Sequence, residues 1–239
     1  MNLLAVDTSG PVAGVAVLKD GAVAYEGAVV NKLTHSVNLL PMVEEALGRA
    51  GLDISQIDLY AAVTGPGSFT GVRIGVSAVK GLAHGAGKPC VGVDALEALA
   101  AGVGLFGGLI CPIQDARAGQ VYGAAFRAGL PPMRALPDMA EKLPVFLEQA
   151  LAVALPHESL CFLGDGVGVY QPAIEQALGA RAIFPAAHLR FLRPAAVAVL
   201  AALHAHNACD YLTLQPMYLR APQAERARAS KLAGESVRS

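Results

Sequence analysis

Tryptophan is missing from the 239 residues, aromatic residues make up only 5% and charged residues only 15%. Formal charge nearly cancels, at −1, so the chain lacks the strong basic field that a self-sufficient nucleic-acid binder needs. Cysteine is scarce too. Cys90, Cys111, Cys161 and Cys209 stand far apart, with neither a CxxC pair nor a disulfide framework, and read as buried free thiols. Among six histidines the closest pair, His204 and His206, sits two apart on an expected helix, where side chains diverge, so no metal-ligand spacing is present. Uninterrupted apolar runs of about 18 residues are absent, which excludes a membrane-spanning helix. Met1-Asn2-Leu3 lacks a basic leader and Asp7 interrupts the first apolar run, unlike a secretion signal. The expectation is a cytoplasmic chain with no metal, no cofactor and no membrane contact.

Hydrophobic residues are abundant, at 54%, enough for a large core in one domain or two small lobes. Two segments look like copies of one unit. Leu3-Leu4-Ala5-Val6-Asp7 turns back into Gly14-Val15-Ala16-Val17, and Cys111-Pro112-Ile113-Gln114-Asp115 turns back through Ala116-Arg117-Ala118-Gly119 into Gln120-Val121-Tyr122. A strand-end Asp duplicated in two half-domains is how actin-like and sugar-kinase-like ATPases hold a nucleotide's metal and phosphates. The pattern predicts strands at 2–7, 12–18 and 21–29, a helix at 35–50, a strand at 59–64, helix 72–86, strand 89–93 and helix 94–103. A second set follows: strands 109–114 and 119–126, a Pro-rich stretch 131–137, helix 141–154, strand 159–163, helix 167–178, a short strand near 181–184 and helix 194–207. The order is that of an α/β chain with two RNase H-like lobes, each a mixed sheet flanked by helices. The first lobe is expected over 1–104, completed by 208–222, a reduced second lobe over 105–207, and a basic tail over 223–239. That tail is either a solvated terminus or a contact for an acidic partner or tRNA.

Asp7, Thr8 and Ser9 place a carboxylate and two hydroxyls at a strand end. They suit a metal-nucleotide contact, and equally a turn that bonds its own backbone. In Gly65-Pro66-Gly67-Ser68-Phe69-Thr70-Gly71, a glycine-rich loop leaves a strand and opens a helix, where free N–H groups attract anions. The Gly-Lys-Ser/Thr ending of a phosphate loop is missing, and a tight turn capped by Ser68 or Thr70 explains the glycines without any ligand.

Arg73, Ser77, Lys80 and His84 fall on a polar stripe only about 60° wide, leaving an apolar arc near 220°, well beyond the roughly 100° that one sheet covers. Ile74, Ala78, Gly81 and Gly85 make one side of that arc low; Val72, Val76, Val79, Leu82 and Ala83 make the other bulky. Helix 35–50 adds Leu39, Met42, Val43, Ala46, Leu47 and Ala50. Two helices with surplus apolar surface predict an interface with another chain, the alternative being burial under the second lobe.

His35-Ser36 with Leu39-Leu40-Pro41-Met42, the run from Gly65 to Val76, Val91-Gly92-Val93, Asp115-Ala116-Arg117, Gly164-Asp165-Gly166 and Pro216-Met217-Tyr218-Leu219-Arg220 resemble the bacterial TsaB family, also called YeaZ, across most of the chain. The resemblance implies the actin-like/sugar-kinase fold and a noncatalytic subunit of the machinery that makes N6-threonylcarbamoyladenosine beside the tRNA anticodon. In that machinery the catalytic paralogue TsaD holds a metal through a His-Met-Glu-Gly-His segment. The corresponding stretch here, Ala95-Leu96-Glu97-Ala98-Leu99, keeps the Glu but neither histidine, and Ala and Leu offer a metal no lone pair. The resemblance further implies docking of a TsaD-like paralogue, help in recruiting a TsaE-like ATPase, a homodimer when alone, tRNA contact only through the complex, and no catalytic residues.

Interface residues are expected among Leu39, Met42, Val43, Ala46, Val72, Val76, Val79 and Lys80, so Val76→Glu is expected to abolish association yet leave the monomer folded. A vestigial nucleotide site is expected at Asp7, Thr8, Ser9, Gly65, Gly67 and Ser68. The competing reading is an ATP-binding hydrolase or glycopeptidase-like enzyme built on Asp7 and the glycine-rich loop.

Overall fold

A computed structural model gives the architecture and describes residues 1–30 and 35–220. Two five-stranded mixed sheets share one plan. In the first, β1 (Leu3–Asp7), β2 (Ala13–Lys19) and β3 (Ala22–Val29) form an antiparallel meander, while β4 (Leu59–Gly65) and β5 (Cys90–Asp94) run parallel to β1, giving the order β3-β2-β1-β4-β5. In the second, β6 (Leu109–Asp115), β7 (Gln120–Arg127) and β8 (Met133–Lys142) repeat the meander, and β9 (Leu160–Leu163) and β10 (Ala182–Ile183) repeat the parallel half. The duplicated plan is the α/β fold of paired RNase H-like lobes, the actin-like and sugar-kinase arrangement. Asp20 and Gly21, both at positive φ (52° and 82°), make the two-residue turn whose twist suits the β2–β3 hairpin.

Alternate residues of β1 face opposite layers. Leu4 and Val6 pack with α1 (His35–Ala50) and α2 (Phe69–Ala86), whereas Leu3 and Ala5 pack with α3 (Ala95–Ala101) and with α6 (Pro194–Leu203). Both faces are covered, which is why β1 is an unbroken apolar run up to its Asp. On the second sheet, Leu109, Cys111 and Ile113 pack with α4 (Leu143–Val153) and α5 (Val167–Leu178), while Ile110, Ala124 and Phe126 join the α3 and α6 layer. The two sheets therefore share one core, with α3 and α6 inside it.

Three elements differ from the sequence expectation. The Pro-rich stretch 131–137 runs into a ten-residue strand, β8, because an edge strand leaves one row of N–H groups unpaired and so accommodates Pro137. Helix α2 begins at Phe69 rather than 72, since Ser68 caps it, its Oγ accepting Gly71 N–H at 3.2 Å. The final helix was expected in the second lobe, yet α6 lies across the strands of the first sheet, with the Pro194 ring where a Cβ on Gly14 would sit, 2.3 Å from Cγ. Its sequence, Pro-Ala-Ala-Val-Ala-Val-Leu-Ala-Ala-Leu, has no polar face, so it is stable only between layers. On β3, Glu26 holds the start of α6, pairing with Arg193 and accepting Ala195 N–H at 3.0 Å.

Beyond α6 the chain returns along the first lobe, with Cys209 bridged to Cys90, Leu214 buried and Met217 N–H donating to Thr64 O at 2.7 Å. The expected basic tail 223–239 lies outside the described residues. No described helix is long and apolar enough to cross a membrane.

Candidate partner face and interlobe cleft

Asp7, Thr8, Ser9, Gly67 and Ser68 come together and bond largely within the turn and loop, whereas Gly65 lies against Met217; Ser9, Gly67 and Ser68 also line the outer cleft. Asp7 Oδ1 accepts Ser9 N–H at 2.8 Å, Ser68 N–H donates to Ser9 O at 2.7 Å, and Thr8 Oγ1 donates to Gly71 O at 2.7 Å. A Cβ on Gly67 would sit 2.3 Å from Ser9 O, and one on Gly71 2.0 Å from Thr8 O. The glycines thus let the start of α2 lie directly on the β1–β2 turn, where the Ser68 and Gly71 amides are satisfied by Ser9 O and Ser68 Oγ.

Where this turn faces the second lobe, the deep end of the cleft, between Asp7, Pro11, Leu99, Gln114 and Leu192, holds a cavity of ≈ 10 Å³. That is about one water or less. Burial pushes the Asp7 carboxyl above its ordinary range, only partly opposed by the Ser9 amide that it accepts. A metal-bound nucleotide does not fit at Asp7. Farther out the cleft widens to ≈ 450 Å³ between Ser68, Thr70, Asp115, Arg117, Tyr122 and Asp165. Burial, with the Asp115 charge adding to it, pushes Asp165 up to about 6 against the backbone amides that favour its ionised form. Among the described residues no three His, Cys, Asp or Glu side chains converge as a metal-binding set.

On α3, Glu97 is engaged: its Oε1 lies 3.1 Å from His204 Nε2 on the turn that follows α6. Ala95, Leu96, Ala98 and Leu99 around it are core residues between the two sheets.

The expected interface needs correcting. Leu39, Met42, Val43, Ala46, Val72, Val76 and Val79 are all buried within the protomer against the first sheet. Lys80 is half-buried and donates through Nζ to Leu214 O at 3.2 Å, holding the C-terminal segment. A carboxylate at Val76, 2% exposed, would sit in the core and not on a surface. The bulky side of each helix faces its own sheet because large aliphatic side chains fill the gap between layers.

What α2 leaves outward is its low-profile side, and α1 leaves larger apolar side chains beside it. The helices lie side by side, exposing Val37 (58%), Leu40 (56%) and Pro41 from α1 beside half-buried Ile74 and Ala78 from α2. Nothing would meet a Cβ on Gly81 or Gly85, so that part of α2 is flat and open. At its edge the Phe69 ring lies 4.9 Å from the Tyr218 ring, with the Arg73 guanidinium 4.1 Å over Phe69 and Arg73 Nε donating to Tyr218 Oη at 2.9 Å. Phe69, Arg73 and Tyr218 were not among the expected site residues, although the two segments carrying them, one at 65–76 and one at 216–220, are those the resemblance singled out.

The family model described as "TsaD: tRNA N6-adenosine threonylcarbamoyltransferase" matches residues 29–228. The tRNA threonylcarbamoyladenosine biosynthesis protein TsaB of Bacillus subtilis is 36% identical over 227 residues, covering 94% of this chain and 96% of that protein. A tRNA N6-adenosine threonylcarbamoyltransferase of Anaeromyxobacter dehalogenans is 37% identical, but over 112 residues, 40% of this chain and 34% of the enzyme. Among solved structures, YeaZ from Pseudomonas aeruginosa superposes with a TM-score of 0.74 at 26% identity, over 91% of this chain and 99% of that one.

Proposed function

Because the chain belongs to the TsaB (YeaZ) family of tRNA threonylcarbamoyladenosine biosynthesis proteins, we propose that it serves this modification as a noncatalytic scaffold that docks a TsaD-like paralogue. The observation that carries the reading is the state of α3: its apolar side chains are spent in the core and its one carboxylate contacts His204, and among the described residues no set of three metal-ligating side chains converges there. The closed end of the cleft at Asp7 speaks in the same direction and against the hydrolase or peptidase reading.

Binding energy is then the contribution, and the outward sides of α1 and α2 supply it. Val37 and Leu40 are apolar and exposed, and the low profile of Ala78, Gly81 and Gly85 allows a partner helix to approach closely. The same face pairs two copies of the chain when the paralogue is absent. Within the cytoplasmic complex the scaffold helps recruit a TsaE-like ATPase, and tRNA is met only through the assembly.

The test mixes the purified chain with its TsaD-like paralogue and reads complex mass by light scattering. Wild type forms a complex; Leu40→Glu keeps its melting temperature and weakens association at least tenfold. Unchanged complex mass for both Leu40→Glu and Ala78→Glu overturns this face, and loss of tRNA modification with Asp7→Asn in an intact complex overturns the noncatalytic role.

A further inference from the structure

Cys90 opens β5, the edge strand of the first sheet, and Cys209 lies opposite it on the returning C-terminal segment. The two residues exchange both backbone hydrogen bonds, Cys90 N–H to Cys209 O at 2.9 Å and Cys209 N–H to Cys90 O at 2.8 Å. Antiparallel residues that exchange both bonds have Cα atoms about 5.5 Å apart, inside the roughly 4.4–6.8 Å that a disulfide spans, with both side chains on one face of the sheet. The Cys90 thiol already reaches its neighbour, Sγ donating to the Cys209 backbone O at 3.5 Å.

Their surroundings differ. Cys90 is buried, and desolvation with the adjacent Cys209 pushes its thiol up to about 12, Asp210 adding to the effect and Lys80 opposing it. Cys209 is partly exposed and lines an open cavity of ≈ 420 Å³ with His84, Lys88, Asp210 and Tyr211. The other two cysteines are not so placed: on the paired strands β6 and β9, Cys111 lies opposite Phe162 and Cys161 opposite Ile110, so their side chains leave on different faces.

We propose that Cys90 and Cys209 form a reversible disulfide by exchange with a low-molecular-weight disulfide such as glutathione disulfide, stapling the C-terminal segment to the first sheet. Cys209, the accessible thiol, gives its proton to solvent and attacks one sulfur of glutathione disulfide. The S–S bond breaks, and the first glutathione leaves as a thiolate that takes up a proton. Cys90 then loses its proton and attacks the Cys209 sulfur of the mixed disulfide, releasing the second glutathione. Two protein thiols are oxidised to one disulfide while one glutathione disulfide is reduced to two thiols. The staple anchors one end of a strap whose other contacts are Lys80 Nζ with Leu214 O, Met217 N–H with Thr64 O, and Tyr218 against Phe69 at the start of α2.

The test incubates the full chain with glutathione disulfide, quenches in acid, alkylates free thiols and maps the peptides. Before alkylation wild type is expected to weigh about 2 Da less than the reduced chain, and after it to yield a Cys90–Cys209 cross-linked peptide; excess reduced glutathione is expected to reverse both. Cys90→Ser is expected to stop at a stable adduct of about 305 Da on Cys209, because no second thiol resolves it. Cys209→Ser is expected to stay unmodified at Cys90 over the same time. Oxidation of wild type should slow hydrogen exchange of the Cys209 and Leu214 amides at least tenfold. Wild type that keeps a glutathione adduct, stays fully reduced or links other cysteines overturns the proposal, and so does unchanged exchange in the oxidised chain. The wild-type outcome decides the matter even where a variant misfolds.

Discussion

The turns that end β1 and β6 occupy the same place in the two lobes and make the same local bond. Asp7 Oδ1 accepts Ser9 N–H at 2.8 Å, and Asp115 Oδ1 accepts Arg117 N–H at 2.9 Å. Beyond that bond they diverge. The first turn is sealed under the glycine-rich loop, with Asp7, Thr8 and Ser9 all buried. The second stays open to the outer cleft, where Arg117 is almost fully exposed and pairs with Asp115 at 3.3 Å, and Tyr170 Oη donates to Asp115 at 3.2 Å. Identical turn chemistry therefore does not make two identical sites. The loop laid over each turn decides whether its carboxylate faces solvent or packing.

The seal on the first turn can be broken from beneath. Val76 lies on the inner side of the helix that presses the glycine loop down, and Val76→Glu should leave no cooperative unfolding transition at 25 °C, an unpaired buried carboxylate costing about 5 kcal/mol. A normal melt with intact near-ultraviolet dichroism would contradict the inward placement. Next in size, Gly71→Ala forces a methyl toward Thr8 O and should cost about 3 kcal/mol in chemical denaturation, whereas Gly166→Ala, 3.0 Å from Ile113 O in the second lobe, should cost about 1 kcal/mol. Equal costs would erase the distinction between a sealed and an open turn.

Asp165 sharpens the comparison through pH. Its folded carboxyl holds a proton up to about 6 against an ordinary 3.8, so this group favours folding below about pH 4 and loses that advantage as pH rises through 6. Asp165→Asn should therefore stabilise the protein at pH 7 by about 2 kcal/mol and flatten the stability profile between pH 4 and 6. The smallest effect lies away from both turns. Arg193 beside Glu26 holds that carboxyl below its usual range, so its contribution is present above about pH 4.5 and fades as pH falls through the lowered folded value; Glu26→Gln should cost about 1 kcal/mol at pH 7 and progressively less in acid.

The strands of the first lobe were legible to within a residue or two because Lys19-Asp20-Gly21 and the Asp-terminated apolar run are local signals. Strand β8 was not, since Pro131, Pro132 and Pro137 argue for loop, and only knowing that the strand lies at a sheet edge reverses the argument. For α2, periodicity correctly separated a bulky side from a low side. It could not say which side meets the sheet, and the interface was assigned to the bulky one. The clustering of Asp7, Thr8 and Ser9 with Gly67 and Ser68 was visible in the motifs, but that the two segments bond each other depends on a close approach between stretches some sixty residues apart. The placement of α6 and the stacking of Tyr218 on Phe69 are longer-range still, and no local pattern encodes them.

Threading α6 and Leu214 back into the first lobe has a consequence for how the molecule is made. While the chain is being synthesised, β1 to β5 can pair, yet the layer facing α6 stays bare until residue 203 has emerged, and the gap filled by Leu214 stays open until the strap arrives. The amino-terminal half is thus an unfinished body awaiting its lid, and a nascent chain halted before residue 194 should be a substrate for chaperones despite already holding a complete sheet.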